Sequence, residues 1–294
     1  MQTAFPRLDI GPLSEYREDD VMINRFEDYL KEHQNLIFPH RHNFYHLVLF
    51  TKGGGFHTID FNHFNVHPFQ IYFMIPGQVH SWDFEGEMAG YVVNFSEAFF
   101  RSFLLKQDYL DSFSFFDGDS SNNVVAIAAE IQPNIVGLFE ELLLQAGKAK
   151  FREDIIRVSL LHIFLLLEQS NAQDKKRSAH IQQHPLIRNF QKLIEKNFTT
   201  IRQPGEYAEM LHVTPNHLNA LCKEHLSLQA GALIRNRIVL EAKRLLINLD
   251  FTVSEIAYKL NFNDNSYFTR FFKKETGMTP EVFRAKSANQ SGKS

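Results

Sequence analysis

The sequence holds a single cysteine, Cys222, among 294 residues, so no disulfide can form within the chain and a reducing compartment fits it. Tryptophan is equally scarce, with Trp82 alone. No apolar run approaches the roughly 18 residues a membrane-spanning helix needs, and the longest, SLLHIFLLLE, falls well short. The opening MQTAFPRLDIGPLSEYREDD has neither a basic leader nor an apolar core, so no secretion signal is expected and the cytoplasm is the expected location. A Ser-His-Asp order, a phosphate-binding glycine loop and a dinucleotide fingerprint are all missing, which argues against the common enzyme classes.

What is present divides the chain in two. The net charge of −3 hides a split: residues 180–294 carry 16 Lys and Arg against 10 Asp and Glu, whereas residues 1–179 carry 15 against 24. The second part therefore has a bias toward polyanions. Phenylalanine runs the other way, with 21 of 29 in the first part. Between them QSNAQDKKRSAHIQQHP, residues 169–185, is polar, lacks periodicity and reads as a linker.

The second part contains an internal repeat. Ala208, Leu211 and Val213 recur as Ala257, Leu260 and Phe262 at an offset of 49, and Leu218, Leu221 and Lys223 recur as Phe268, Phe271 and Lys273 at an offset of 50. Each copy has the parts of a helix-turn-helix. A small residue permits close helix crossing, an apolar residue closes the turn, and a polar cap (Thr214-Pro215, Asp264-Asn265) starts a second helix. In that second helix Phe268, Phe271 and Phe272 form a core stripe, with Arg270, Lys273 and Lys274 off it. QAGALIRNRIVLEAKRLLINL joins the copies; as a helix of about 19 residues it spans roughly 28 Å. That length could set two recognition helices into successive major grooves about 34 Å apart.

The first part, from residue 38, reads as short strands punctuated by Gly, Asn and Pro, which suggests a sandwich or small barrel. Phe44, Phe50, Phe56, Phe61 and Phe73 are expected mainly in its core. Two helices follow, NIVGLFEELLLQAG and REDIIRVSLLHIFLLLEQ. The second is apolar on more than one face, which fits either full burial on the barrel or a homodimer seam.

ALIRNRIVLEAKRLL and VSEIAYKLNFNDNSYFTRFFKKETGMTPEVFRA strongly resemble the DNA-binding domain of AraC/XylS-family transcription regulators. Three positions depart from the family pattern: Asn261 and Ser227 replace glycines, and Cys222 replaces an aromatic residue. The resemblance points to Asn216, Asn219 and Ala220, then Asn265, Ser266, Tyr267 and Arg270, as base-facing residues. It leaves Lys223, Arg237, Lys273 and Lys274 as phosphate contacts. Arg270 has a plainer alternative, an ion pair with Glu255.

His40-Arg41-His42, the glycines that follow and Pro76-Gly77-Gln78-Val79-His80 resemble the cupin signature of AraC-type sensor domains, with His46 in place of the usual Glu. The resemblance implies an effector site of His40, His42, His46, His80, Trp82 and Phe44 at the barrel mouth. The four histidines could instead hold a divalent metal, in a cupin metalloenzyme of dioxygenase type with an appended DNA-binding module. The expectation here is no metal, no cofactor and no catalytic residue.

The expected fold is α+β in two domains. A cupin-like β-barrel with helices occupies residues 1–170, a linker residues 171–184, and an all-α domain with two helix-turn-helix motifs residues 185–290. The expected function is sequence-specific DNA binding modulated by a ligand in the barrel. The expected partners are double-stranded DNA, a small-molecule effector, a second copy of the chain and RNA polymerase.

Overall fold

The computed structural model describes residues 7–8, 21–33, 39–101, 103–106, 109–145, 151–177, 184–247 and 251–290. The chain divides into two compact units, one ending at Ser178 and one running from Ala179.

In the first unit eight strands form one sheet: β1 (Arg7–Leu8), β2 (Val21–Arg25), β3 (His40–His42), β4 (Tyr45–Ile59), β5 (Asn62–Asn65), β6 (Gln70–Met74), β7 (Val79–Phe95) and β8 (Val124–Ala126). Their order is β1-β3-β7-β4-β6-β8, with β2 also on β7 and β5 also on β4. The long strands β4 and β7 pair antiparallel from Tyr45 opposite Phe95 to Ile59 opposite His80.

The glycines of KGGG were expected to end a strand. Instead they lie inside β4, where the register shifts between Phe50, Lys52 and Gly54. The bulges bend the strand without interrupting it. Two glycines have a steric reason. A Cβ on Gly55 (φ +96°) would strike the Asp83 carbonyl, and one on Gly90 (φ +157°) the Leu49 carbonyl. The bend brings Val48, Phe50 and Ile59, from both ends of β4, into one interior cluster with Trp82 and Val92.

Strand alternation sends Leu47 and Leu49 to the opposite face, where they join Val93, Phe95 and a helical cover. That cover consists of α2 (Glu97–Arg101), α3 (Gln132–Leu144) and α4 (Arg152–Arg177). The interior face is closed by α1 (Phe26–Glu32), whose Phe26 ring meets Phe50, Trp82 and Phe84 edge-on. Phe44, Phe50 and Phe73 are core as expected, whereas Phe56 is exposed and Phe61 half-buried.

Helix α4 resolves its two readings by face. Ile156, Leu160, Ile163, Phe164 and Leu167 are buried against the barrel, while Ile155, Val158 and Leu165 are exposed. The helix continues through Arg177, into the stretch read as a linker, and the two units divide at Ser178 and Ala179 within that stretch. Residues 169–177 contain no Gly or Pro, so a helix nucleated by its packed half propagates into them. Residues 178–183 lie outside the described residues.

The second unit is helical: α5 (Pro185–Asn197), α6 (Pro204–Met210), α7 (Pro215–Leu226), α8 (Ala230–Ile247), α9 (Val253–Lys259), α10 (Asn265–Thr276) and α11 (Pro280–Gln290). Four of these begin at a proline, where the missing N–H costs no helical bond. The repeat extends to the backbone. In α6–α7 the Val213 N–H donates to the Ala208 carbonyl at 2.9 Å, and in α9–α10 the Phe262 N–H donates to the Ala257 carbonyl at 2.9 Å. Each turn passes through a left-handed residue, His212 (φ 55°) or Asn261 (φ 57°), and the second helices end in left-handed Ser227 (φ 56°) and Gly277 (φ 81°).

Two arginines tie the repeats together. Arg202 donates to the Leu260 and Asn261 carbonyls at 2.6 and 2.8 Å and lies over the Phe262 ring, so the first repeat caps the second repeat's turn. Arg284 donates to the Leu246 and Phe251 carbonyls at 3.1 and 2.6 Å, closing the end of α8.

Candidate functional site

Helices α7 and α10 have the same construction. Thr214 Oγ1 accepts the His217 N–H at the start of α7, and the Asp264 carboxylate accepts the Ser266 and Tyr267 N–H groups at the start of α10. Leu218, Leu221 and Cys222 are buried from α7, as are Phe268 and Phe272 from α10, with Phe271 half-buried. The opposite faces present Asn216, Ala220 and Lys223 in the first repeat and Ser266, Tyr267, Arg270, Lys273 and Lys274 in the second, all exposed. The Glu255 carboxylate is occupied by the Thr252 N–H and hydroxyl in a capping box, so it does not pair with Arg270.

Three of the expected DNA contacts differ from the rest. Arg237 is a correction: its guanidinium donates to both Glu195 oxygens at 2.8 and 2.7 Å and to Glu241 at 3.0 Å, and it lies over the Phe198 ring. A side chain held by two carboxylates and an aromatic face is a packing element between α5 and α8, unlike a phosphate contact. Asn219 is half-buried and its Oδ1 accepts the Ala230 N–H at 3.1 Å, so it fixes the start of α8. Asn265 is half-buried with its Oδ1 covered and unpaired. Between the two helices opens a cleft of ≈ 770 Å³ whose walls include Asn216 and Asn219 from α7 and Tyr267, Arg270 and Lys274 from α10.

The histidines gather in the first unit, though not at a mouth. His40, His42, His46 and His80 are all buried, as are Phe44 and Trp82. This corrects the expected rim: the bend of β4 and β7 folds these positions inward, and α1 lies across them. β3 sets His40 opposite His80, and β4 sets His46 opposite Asn94 on β7. His46 Nδ1 and Asn94 Oδ1 are 2.6 Å apart.

A fifth histidine, His57, completes the group. His57 Nε2 lies 3.0 Å from His80 Nδ1, and His80 Nε2 lies 2.7 Å from His42 Nε2. His57 falls outside the cupin-like spacing, but its alternation with Ile59 on β4 puts it on the same interior face.

The chain His57–His80–His42 has a chemical consequence. A neutral imidazole offers one donor and one acceptor. Whichever direction the chain runs, it leaves an N–H at one end and a bare lone pair at the other, at His57 Nδ1 and His42 Nδ1. Neither nitrogen has a hydrogen-bond partner among the described residues, and the same holds for His46 Nε2 and Trp82 Nε1.

His40, His42 and His80 bring ring nitrogens within 4.8 Å of one another, which a divalent ion could use. Two nitrogens on a tetrahedral zinc stand roughly 3.3 Å apart; the 2.7 Å between His42 and His80 is instead a hydrogen-bond separation. His46, engaged by Asn94, does not join that set.

Burial pushes the His46 ring down to about 3 and holds His42, His57 and His80 well below the ordinary imidazole range, with the neighbouring rings adding to the effect. The unfolded chain then binds more protons than the native one below pH of about 6.5, so stability is complete above that pH and falls as pH drops toward the folded values. Each such histidine contributes up to about 1.4 kcal/mol per pH unit. Urea unfolding between pH 5 and 8 is expected to show stability falling steeply below about 6.5; a flat profile would contradict a buried neutral cluster.

Comparison with known proteins agrees with both halves. Residues 29–165 match the model of the AraC-like ligand binding domain, and residues 207–286 match a helix-turn-helix domain model. The arabinose operon regulatory protein of Escherichia coli (strain K12) is 23% identical over 251 residues, covering 82% of this chain and 80% of that protein. The uncharacterized transcriptional regulatory protein YesN of Bacillus subtilis (strain 168) is 38% identical over 85 residues, which are 28% of this chain and 23% of YesN. The matched segment of YpdC from Escherichia coli (strain K12) is likewise only 33% of that regulator. Among solved structures, ToxT from Vibrio cholerae aligns with 90% of this chain and 98% of its own at 14% identity and a TM-score of 0.45. The chain therefore carries an AraC-like ligand-binding domain followed by a helix-turn-helix domain, the arrangement it shares with the arabinose operon regulatory protein over most of its length.

Proposed function

We propose that the protein acts in the cytoplasm as a transcription regulator that reads duplex DNA with α7 and α10 and answers to a small polar or amphipathic effector in the barrel. The observation that carries this is the repeat itself. Two helices of one construction are capped the same way and turned by the same hydrogen bond, and each presents polar and basic residues away from a shared core. Asn216, Ser266, Tyr267 and Arg270 face bases in this reading, while Lys223, Lys273 and Lys274 take phosphates. Asn219, Asn265 and Ala220 contribute shape more than hydrogen bonds.

The effector site is the interior group of His42, His46, His57 and His80 with Trp82 and Phe44. A ligand carrying both a donor and an acceptor satisfies the two ends of the imidazole chain. In this reading the protein is a sensor rather than an enzyme, and it works with RNA polymerase at its target.

Dimerisation rests on α4. Phe151, just ahead of it, with Ile155, Val158 and Leu165 on it, are 63%, 45%, 56% and 50% exposed and follow one another at intervals of four, three and seven residues, along one helix face as in a two-helix seam. Leu161 packs half-buried on the barrel and is a poorer choice for a test.

Two measurements check these readings. In titrations of full-length protein against a duplex selected from a random pool, Arg270→Ala is expected to cost about 1–3 kcal/mol and to relax preference at one base pair. Lys273→Ala should weaken selected and random duplexes alike and lower the salt slope by about one. Identical behaviour of the two variants on both duplexes would overturn this sorting. Separately, Val158→Glu combined with Leu165→Glu should give folded monomers by sedimentation, since both side chains already face water in the single chain; a double variant that remains dimeric would move the seam elsewhere.

A further inference from the structure

Arg235 lies on the linking helix α8 and belongs to neither recognition helix, yet it lines the cleft between them. Its Nε meets Glu275 of α10 at 3.1 Å, and Glu275 is its one ion-pair partner among the described residues. The guanidinium rests against Gly231, where a Cβ would come within 3.2 Å of Arg235 Nη1. A glycine one turn back on the same helix therefore makes the seat in which this side chain lies.

The cleft opens on the same face as the candidate base contacts, because Asn216 on one wall and Tyr267 and Arg270 on the other line it. Two helices entering successive major grooves straddle about one turn of duplex. In that arrangement the sugar-phosphate backbone of the intervening turn would cross the cleft.

We propose that Arg235 is a third point of DNA contact, holding a backbone phosphate of the spacer between the two half-sites. The proposal rests on the DNA-binding reading above. A guanidinium has five donors in a planar fork. Glu275 uses the Nε side, which fixes the plane of the fork and leaves the Nη edge to meet a phosphate in a bidentate way. Of the other two arginines at the cleft, Arg270 is already assigned to a base, and Arg202 is committed to the Leu260 and Asn261 carbonyls and the Phe262 ring. Arg235, with its side chain 44% exposed, keeps donors to give.

The contact adds affinity without adding base preference, and it sets the distance between half-sites. A spacer lengthened or shortened by a base pair takes its phosphate away from a side chain that is pinned in place.

The test uses full-length protein and a duplex selected from a random pool by the wild type. Arg235→Gln is expected to weaken the selected and random duplexes alike and to lower the salt slope by about 0.9, the share of one phosphate. Arg235→Lys, which keeps the charge but not the fork, should recover the slope. Neutral methylphosphonate linkages placed one at a time along the spacer should weaken the wild type at one or two positions and leave Arg235→Gln unaffected there. An Arg235→Gln protein with the wild-type slope and methylphosphonate pattern overturns the proposal. So does an Arg235→Lys protein as weak and shallow as Arg235→Gln with the same lowered melting temperature, which would make Arg235 a structural residue. A wild type that selects no motif and shows no salt dependence overturns the DNA-binding reading itself, and so separates the two failures.

Discussion

Each recognition helix takes its direction from one hydrogen bond. The N–H of Val213 or Phe262 reaches back to the carbonyl of Ala208 or Ala257, and a single left-handed residue makes that return possible. An L-residue in this conformation costs of order 1–2 kcal/mol unless it is glycine, with asparagine the usual exception. His212 bears the cost in the first turn where a glycine would not, as Ser227 does at the end of α7, so surrounding packing must over-determine both. Leu218 and Phe268 do this by burying the second helix of each repeat in one common core. Arg202 then links the repeats by bonding to carbonyls of the turn opposite its own. The spacing between recognition faces follows from these contacts and from the 18 residues of α8.

The sensor unit solves a different problem. Five imidazoles sit inside an aromatic cluster, where a charged ring would lose its hydration; burial keeps His42, His46, His57 and His80 neutral, with His42, His57 and His80 bonded in a chain and His46 bonded to Asn94. A chain of neutral rings has a direction and two unequal ends. In the proposed reading, a molecule with both a donor and an acceptor completes that chain.

The sequence made the repeat legible because apolar period, cap residues and turn residues agreed with one another. Asp264 caps α10, Gly277 ends it and Asn261 adopts the left-handed turn that its residue type tolerates. What sequence could not supply were partners from distant elements. Arg237 looked like a solvated cation on α8, and its two glutamates and the Phe198 ring come from packing that no local spacing reveals. His57 stood apart from the cupin-like signature, and only the register of β4 with β7 brings it to His80. The KGGG stretch has the composition of a turn, yet its glycines serve bulges where backbone passes too close for a side chain. The polar half of α4 resembled a linker in composition but lacked the Gly or Pro that would have stopped the helix.

In the proposed function the two helix-turn-helix units read DNA as a pair. Sequencing of duplexes retained by the full-length protein from a random pool tests this pairing. One motif is expected, of two unequal blocks whose centres stand about 10–10.5 base pairs apart, one helical turn. A pool that returns no motif, or a single uninterrupted block, would contradict it.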